Sequence, residues 1–79
     1  MFNIAESFYN KLKIQSENSL ITKKQFEAIE EYILSIKNEN INHLKKIELD
    51  LYSKEFKSIY FIFIKKDNNF FLFDYSIKN

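Results

Sequence analysis

The chain offers very few side chains for acid–base or metal chemistry. His43 is the only histidine and there is no cysteine, so a metal site or an activated nucleophile would need carboxylates gathered around one imidazole. Glu39, Glu48 and Asp50 are near His43 in sequence, but their spacing matches no metal-binding motif. We therefore predict no catalytic residue, no metal and no cofactor, and we interpret His43 as a solvent-exposed residue near a helix end.

The remaining carboxylates have simpler interpretations than paired acid–base work, which needs one buried member. Glu27, Glu30 and Glu31 lie on the polar side of a predicted helix, which favours a solvated surface. Asp74 differs because it interrupts an apolar, aromatic segment. On an outward-facing strand, Asp74 would oppose aggregation. Within an interface, it would pair with a partner's Lys or Arg.

Three lysine pairs, at 23–24, 45–46 and 65–66, could contact phosphate if folding gathers them. The chain has no arginine for bidentate contacts to guanine, and a net charge of +1 adds no long-range attraction. Direct nucleic-acid binding is therefore disfavoured. A small nucleic-acid-binding regulator, with aromatic side chains of a sheet stacking on bases, stays an alternative.

Composition excludes several classes of site. There is no glycine and no proline, which excludes the P-loop, the dinucleotide-binding fingerprint and the nucleophile elbow. The length indicates one domain spanning residues 1–79, and without disulfides its stability must come from apolar packing, for which nine Phe and five Tyr are available. The longest apolar run has six residues and no signal-peptide pattern opens the chain, so we expect a cytoplasmic protein with no membrane partner.

Two helices are predicted in the first half. Asn3 followed by Glu6 resembles an N-cap with an acidic partner, which predicts a helix over residues 4–14. The stretch Thr22-Lys23-Lys24-Gln25 is a capping box flanked by two apolar residues, Ile21 and Phe26, in the positions of a hydrophobic staple. The spacing of Phe26, Ile29, Ile33 and Ile36 then predicts a second helix that begins at Lys23.

Three strands are predicted in the second half, over residues 47–52, 59–64 and 70–77. Residues 47–52 alternate between apolar and other side chains, and residues 59–64 are apolar throughout. Turns are expected at 53–56 and around Asn68-Asn69. The predicted fold is α+β: two N-terminal helices packed on a three-stranded antiparallel β-meander in the order α-α-β-β-β.

If both turns contain two residues, one sheet face is apolar throughout and would form the core. That face collects Ile47, Leu49, Leu51, Tyr60, Ile62, Ile64, Phe71, Phe73, Tyr75 and Ile77. The opposite face would carry an exposed apolar stripe with an acidic rim, a combination that marks interaction sites. The predicted partner-binding residues are therefore Glu48, Asp50, Tyr52, Ile59, Phe61, Phe63, Leu72 and Asp74. A change of one residue in either turn would exchange the two faces.

Three alternatives exist for this stripe: the first helix covers it, a second copy of the chain covers it, or a foreign partner does. The open edge of the third strand would accept a strand from another chain unless a loop or the N-terminus protects it. We expect a non-enzymatic binding protein that docks on a larger protein or nucleoprotein complex. The chain is small, its amino-acid composition indicates AT-rich coding DNA, and it has no catalytic signature. These features are typical of phage or mobile-element inhibitors of host defence, including anti-CRISPR proteins. A structural homodimer is the other alternative.

Overall fold

A computed structural model describes residues 1–78. The elements in chain order are strand β1 (Phe2–Ile4), helices α1 (Glu6–Glu17) and α2 (Lys23–Ser35), two single 3₁₀ turns, and strands β2 (Lys45–Glu48), β3 (Leu51–Phe56), β4 (Ile59–Lys66) and β5 (Asn69–Ile77). The strands form one five-stranded sheet in the order β1-β5-β4-β3-β2, with β1 parallel to β5 and the other pairs antiparallel. The α+β class is confirmed. The three-stranded antiparallel meander is wrong, because two further strands extend the sheet.

Helix α2 begins where its local sequence predicts. The Thr22 hydroxyl accepts the backbone N–H of Gln25 at 3.0 Å, and the Gln25 side chain accepts the N–H of Thr22 at 2.8 Å. Both groups of the capping box are thus satisfied within one turn. Ile21 is buried beside the helix start and Phe26 packs against the core. The capping box and the two apolar residues beside it therefore determine where α2 begins.

The N-terminus adopts a strand where the sequence predicted a helix start. Asn3 is not an N-cap: it lies in β1 opposite Phe71 of β5, and α1 begins only after Ala5, which makes no side-chain cap. The Ala5 N–H instead donates to Leu72 O at 2.9 Å. Apolar Phe2 and Ile4 pack against the core from this strand. The exposed edge of β5 competes successfully with the local helix signal because it offers backbone partners to an apolar segment.

The predicted strand over residues 47–52 is split by a turn. Leu49 and Asp50 connect β2 to β3, with Asp50 at a positive φ of 63°. The Lys65 N–H donates to Asp50 O at 2.7 Å and holds this turn against β4. Residues 53–56, expected to turn, continue β3, and the actual turn to β4 is Lys57-Ser58.

One extra residue in β5 changes which side chains face the core. Phe63 pairs with Leu72, whereas Ile62 pairs with Asp74, so Phe73 is a bulge in β5. A bulge shifts the alternation of a strand by one residue. Tyr75 consequently joins Phe61 in the core, although unbroken alternation placed it with Ile64 and Phe71.

Both helices pack on a single face of the sheet. Phe8 and Leu12 of α1 and Ile29 and Tyr32 of α2 are buried there; the sheet supplies the rest of the core from one face, namely Ile59, Phe61, Phe63, Phe70, Leu72 and Tyr75. The ring of Tyr32 stacks on Phe61 with centroids 4.1 Å apart. The fold therefore has two layers, with helices on one side of the sheet and no described element on the other.

Candidate functional site

Half of the predicted binding residues lie in the core. Ile59, Phe61, Phe63 and Leu72 are at most 1% exposed beneath the helices, so the assignment of these four to an exposed stripe is wrong. The physical reason lies in β3, whose register places Tyr52 and Phe56 beside them and Ser53 and Glu55 on the opposite side. The helices cover the side that holds Tyr52 and Phe56.

The other predicted residues are separated by the fold. Tyr52 packs on the core side against Phe70, with ring centroids 5.1 Å apart. Asp74 is half-buried and forms an ion pair with Lys11 of its own chain. Glu48 ends β2 and Asp50 lies in the turn that follows, both exposed. Of the eight predicted residues, Glu48 and Asp50 are exposed, and Asp74 keeps 43% of its side chain accessible beside Lys11.

An apolar surface does exist, on the face that the sequence had assigned to the core. We call it the outer face and define it by six residues that lie outside the helix-covered core: Leu51, Tyr60, Ile62, Ile64, Phe71 and Phe73. Ile64 is 41% exposed, and the others are partly exposed. No element among residues 1–78 packs over this face. The sheet therefore does present an apolar face outside the core, but it is the face that the sequence had assigned to the core.

The rim of the outer face carries charges of both signs. Glu55 lies opposite Tyr60 and pairs with Lys78, whose Nζ stands 5.8 Å from the Tyr60 ring centroid. Lys45 lies opposite Ser53 and Glu48 opposite Leu51 along the β2 side. Such a rim around an apolar centre is the anatomy of a protein–protein interface.

The lysine pairs do not gather into a phosphate clamp. Lys23 and Lys24 begin α2, whereas the other two pairs lie in β2 and at the end of β4. Because side chains alternate along a strand, each of the two lysine pairs that lie on strands contributes only one lysine to the outer face. Acidic Glu48 and Glu55 on the same face would repel a phosphate backbone.

The two edges of the sheet differ in their protection. At the β5 edge, β1 covers residues 70–72; beyond it, Lys11 Nζ donates to Asp74 Oδ1 at 2.6 Å and to Tyr75 O at 2.7 Å. The Asp74 carboxylate also accepts the Tyr75 N–H at 2.8 Å. At the opposite edge, β2 is exposed, but it is short, contains two lysines and has a bulge after Lys46. These features disfavour strand addition at either edge.

Sequence reasoning missed a partly buried polar cluster around Glu39, whose side chain is only 7% exposed. Its carboxylate accepts the Tyr32 hydroxyl, lies 2.8 Å from His43 Nδ1, and accepts the Asn40 N–H at 3.2 Å. Burial alone would raise the pKa of Glu39, but these hydrogen bonds and the charge of Lys54 outweigh it and lower the pKa. Tyr32 supplies the signal that could have revealed the site, since a tyrosine on the apolar side of a helix needs a polar partner.

The Glu39 cluster has a structural role. Burial is the main cause that raises the pKa of Tyr32, and its hydrogen bond to Glu39 adds to the effect. Tyr32, Glu39 and His43 tie the connection between α2 and β2 to the core. Residues 1–78 contain no group of three or more His, Asp or Glu side chains that could bind a metal ion. His43 is exposed, as predicted, and its imidazole is oriented by Glu39.

Comparison with known proteins adds no family. No protein-family model, curated protein or solved structure matches the chain. Within residues 1–78, neither helix has the length and apolar character needed to cross a bilayer. The site must therefore be interpreted from its geometry.

Proposed function

We propose that this protein is a non-enzymatic binding domain that docks on a larger protein or nucleoprotein complex through the outer face of its sheet. One observation carries the proposal: six apolar side chains of the sheet lie together outside the core, with no described element over them. Surfaces of this kind are interaction sites in small domains. The proposal extends to an inhibitor or adaptor role of the type that phages and mobile elements direct against host defence.

The shape of the outer face supports a macromolecular partner. A sheet face is broad and nearly flat, whereas small-molecule sites are concave and enclose most of the ligand. Aromatic side chains anchor protein interfaces, and Tyr60, Phe71 and Phe73 provide three. Aliphatic Leu51, Ile62 and Ile64 lie among them. This mixture suits apolar protein side chains better than a run of stacked bases, which need aromatic platforms.

The test compares the outer face with the helix side. Ile64→Glu places a charge within the outer face, and Leu34→Glu is the matched control on α2, where Leu34 is 78% exposed. Both positions are exposed enough to leave the fold intact, which circular dichroism and thermal unfolding check. Each variant and the natural chain carry an affinity tag and are mixed with bacterial lysate, with and without nuclease.

We expect the natural chain and Leu34→Glu to retain the same stoichiometric protein after nuclease treatment, and Ile64→Glu to lose it. Equal recovery with folded Ile64→Glu would contradict the outer face as the docking surface. Recovery that disappears with nuclease would favour the nucleic-acid alternative, and its binding should weaken steeply with added salt.

A further inference from the structure

We infer that two copies of this chain pair through their outer faces, and that this pairing competes with docking on the larger partner. The inference rests on the proposed function, because it assigns a second occupant to the same surface. The assembly would have four layers, with the two sheets in contact at the centre and the helices of each copy outside.

The first support is the area of the outer face. Strands lie about 4.8 Å apart and rise about 3.3 Å per residue. The three long strands and their short neighbours thus give a face of roughly 20 by 25 Å, or on the order of 500 Å² in projection. Two copies would cover on the order of 1,000 Å², where specific interfaces begin. The side chains add relief, so the buried accessible area would be larger.

The second support is the character of the face. It is mainly apolar: Leu51, Ile62 and Ile64 from β3 and β4 lie among three aromatic side chains, and the polar neighbours of Ile62 are Ser53 and Asp74. Sheets that present such faces pack about 10 Å apart with their strands nearly aligned. A second copy presents a surface of the same flatness and chemistry, and a two-fold axis needs only one such patch.

The third support is the charge of the rim. Lys45 and Lys66 lie on the outer side of β2 and β4, and Glu48 lies on the same side at the end of β2. A rim with both signs can meet its own copy with opposite charges in contact. A rim of one sign would repel it.

The fourth support is the surface of a single copy. The chain exposes 5517 Å², whereas a compact monomer of its 9.6 kDa mass would expose roughly 5,100 Å². A domain of this size without disulfides or a metal gains stability by association. Pairing through the outer face would remove part of this surface from solvent, including Ile64, which is 41% exposed.

Pairing would regulate docking through concentration. The same six side chains cannot contact a second copy and a larger partner at once. A dilute chain would therefore bind its partner without hindrance, whereas a concentrated chain would first have to dissociate. Adding more protein would raise occupancy of the partner by less than simple binding predicts.

Sedimentation equilibrium of the natural chain tests the pairing directly. We expect a mass that rises with concentration toward twice 9.6 kDa. Ile64→Glu should raise the dimer dissociation constant by about a hundredfold or more, because pairing would bury a carboxylate without a partner. Leu34→Glu should leave it unchanged. A natural chain that stays monomeric at its highest workable concentration overturns the inference, as does equal weakening by both variants.

Spin labels identify the paired face without disturbing its apolar centre. Since cysteine is absent, Ser76→Cys, exposed near the end of β5 opposite Tyr60, and Ser7→Cys on the exposed side of α1 each give a single label. We expect the distance between the two Ser76 labels of a dimer to be shorter than that between the Ser7 labels. The reverse order would mean that the helix sides pair and would overturn the inference.

The two proposals can fail separately. A monomeric natural chain that still loses its partner on Ile64→Glu leaves docking intact and removes pairing. A dimer that Ile64→Glu dissociates, with partner capture unchanged by the same substitution, leaves pairing intact and removes docking at this face.

Discussion

Lys11 of α1 reaches the free edge of β5, where its Nζ lies 2.6 Å from Asp74 Oδ1 and 2.7 Å from Tyr75 O. The same Nζ stands 4.5 Å from the centroid of the Tyr75 ring. With the Tyr75 N–H on Asp74, both backbone groups of Tyr75 have side-chain partners. This arrangement closes the edge at Tyr75, beyond the residues that β1 covers.

Replacing Lys11 should therefore open an edge. Lys11→Met keeps the aliphatic stem but leaves Tyr75 O without its donor, and we expect a loss of about 1 kcal/mol. The ion pair itself contributes little, since both side chains are over one-third exposed. Light scattering during heating should show earlier aggregation than for the natural chain. Lys13→Met, on the same helix but outside this contact, is the control and should behave like the natural chain.

The exchange of the two sheet faces predicts unequal costs for like substitutions. Phe61→Ala removes a fully buried ring and should cost about 3–5 kcal/mol. Phe71→Ala, on the outer face, should cost about 1 kcal/mol. Urea unfolding at low protein concentration measures both. Equal losses would show that the helices do not select one face.

The Glu39 cluster predicts a loss of stability in acid. Because hydrogen bonds lower the pKa of Glu39 below its ordinary value of 4.5, the unfolded chain takes up this proton first as the pH falls. The contribution of Glu39 is thus complete above that value and disappears as the pH falls through the folded pKa. Glu39→Gln should cost about 1–3 kcal/mol near neutral pH, and its difference from the natural chain should shrink in acid.

The control for Glu39 is Glu31→Gln, which removes a pair with Lys57 whose two side chains are each 56% exposed. Its effect should stay small at every pH, since exposed ion pairs contribute little. A constant difference between Glu39→Gln and the natural chain across the acid range would contradict a carboxylate held ionised by its partners.

Tyr32 predicts a loss of stability at alkaline pH. Burial raises its pKa above the ordinary 10.0, so the unfolded chain loses this proton first as the pH rises. The associated stability is complete below pH 10.0 and decreases above it. In an ultraviolet titration, Tyr32 should ionise only when the fold opens. Tyr32→Phe should remove that step, whereas Tyr9→Phe, at a 47% exposed position, should leave it in place.

Local signals in the sequence predicted local structure well, and non-local pairing poorly. The start of α2 follows from Thr22 and Gln25, whose side chains satisfy each other's backbone N–H groups. Asn3 and Glu6 gave an equally local signal, but β5 offered backbone partners 68 residues further along the chain, as in the pair of Asn3 with Phe71. No pattern within residues 1–5 contains that information.

The sheet faces show how one residue changes a functional assignment. The sequence indicated an apolar surplus in β4 and β5, and the structure contains it. The bulge at Phe73 moved Tyr75 and Ile77 to the helix side, because one extra residue reverses the face of the rest of the strand. The turn at Leu49-Asp50 ended the long strand that was expected to add Ile47 and Leu49 to the predicted core face. The helices then covered the opposite face.

The left-handed turns of this chain have a consequence for how it could be improved. Among residues 1–78, five have positive φ in a sequence without glycine, and Ser19, Lys57 and Ser58 lack the amide or carboxylate that eases this conformation in Asn and Asp. Each of the three carries a steric penalty on the order of 1 kcal/mol that glycine would not. Replacing these three turn residues with glycine should therefore raise the melting temperature, and none of the three belongs to the core or the outer face. Three substitutions would thus give a more stable protein with the same fold.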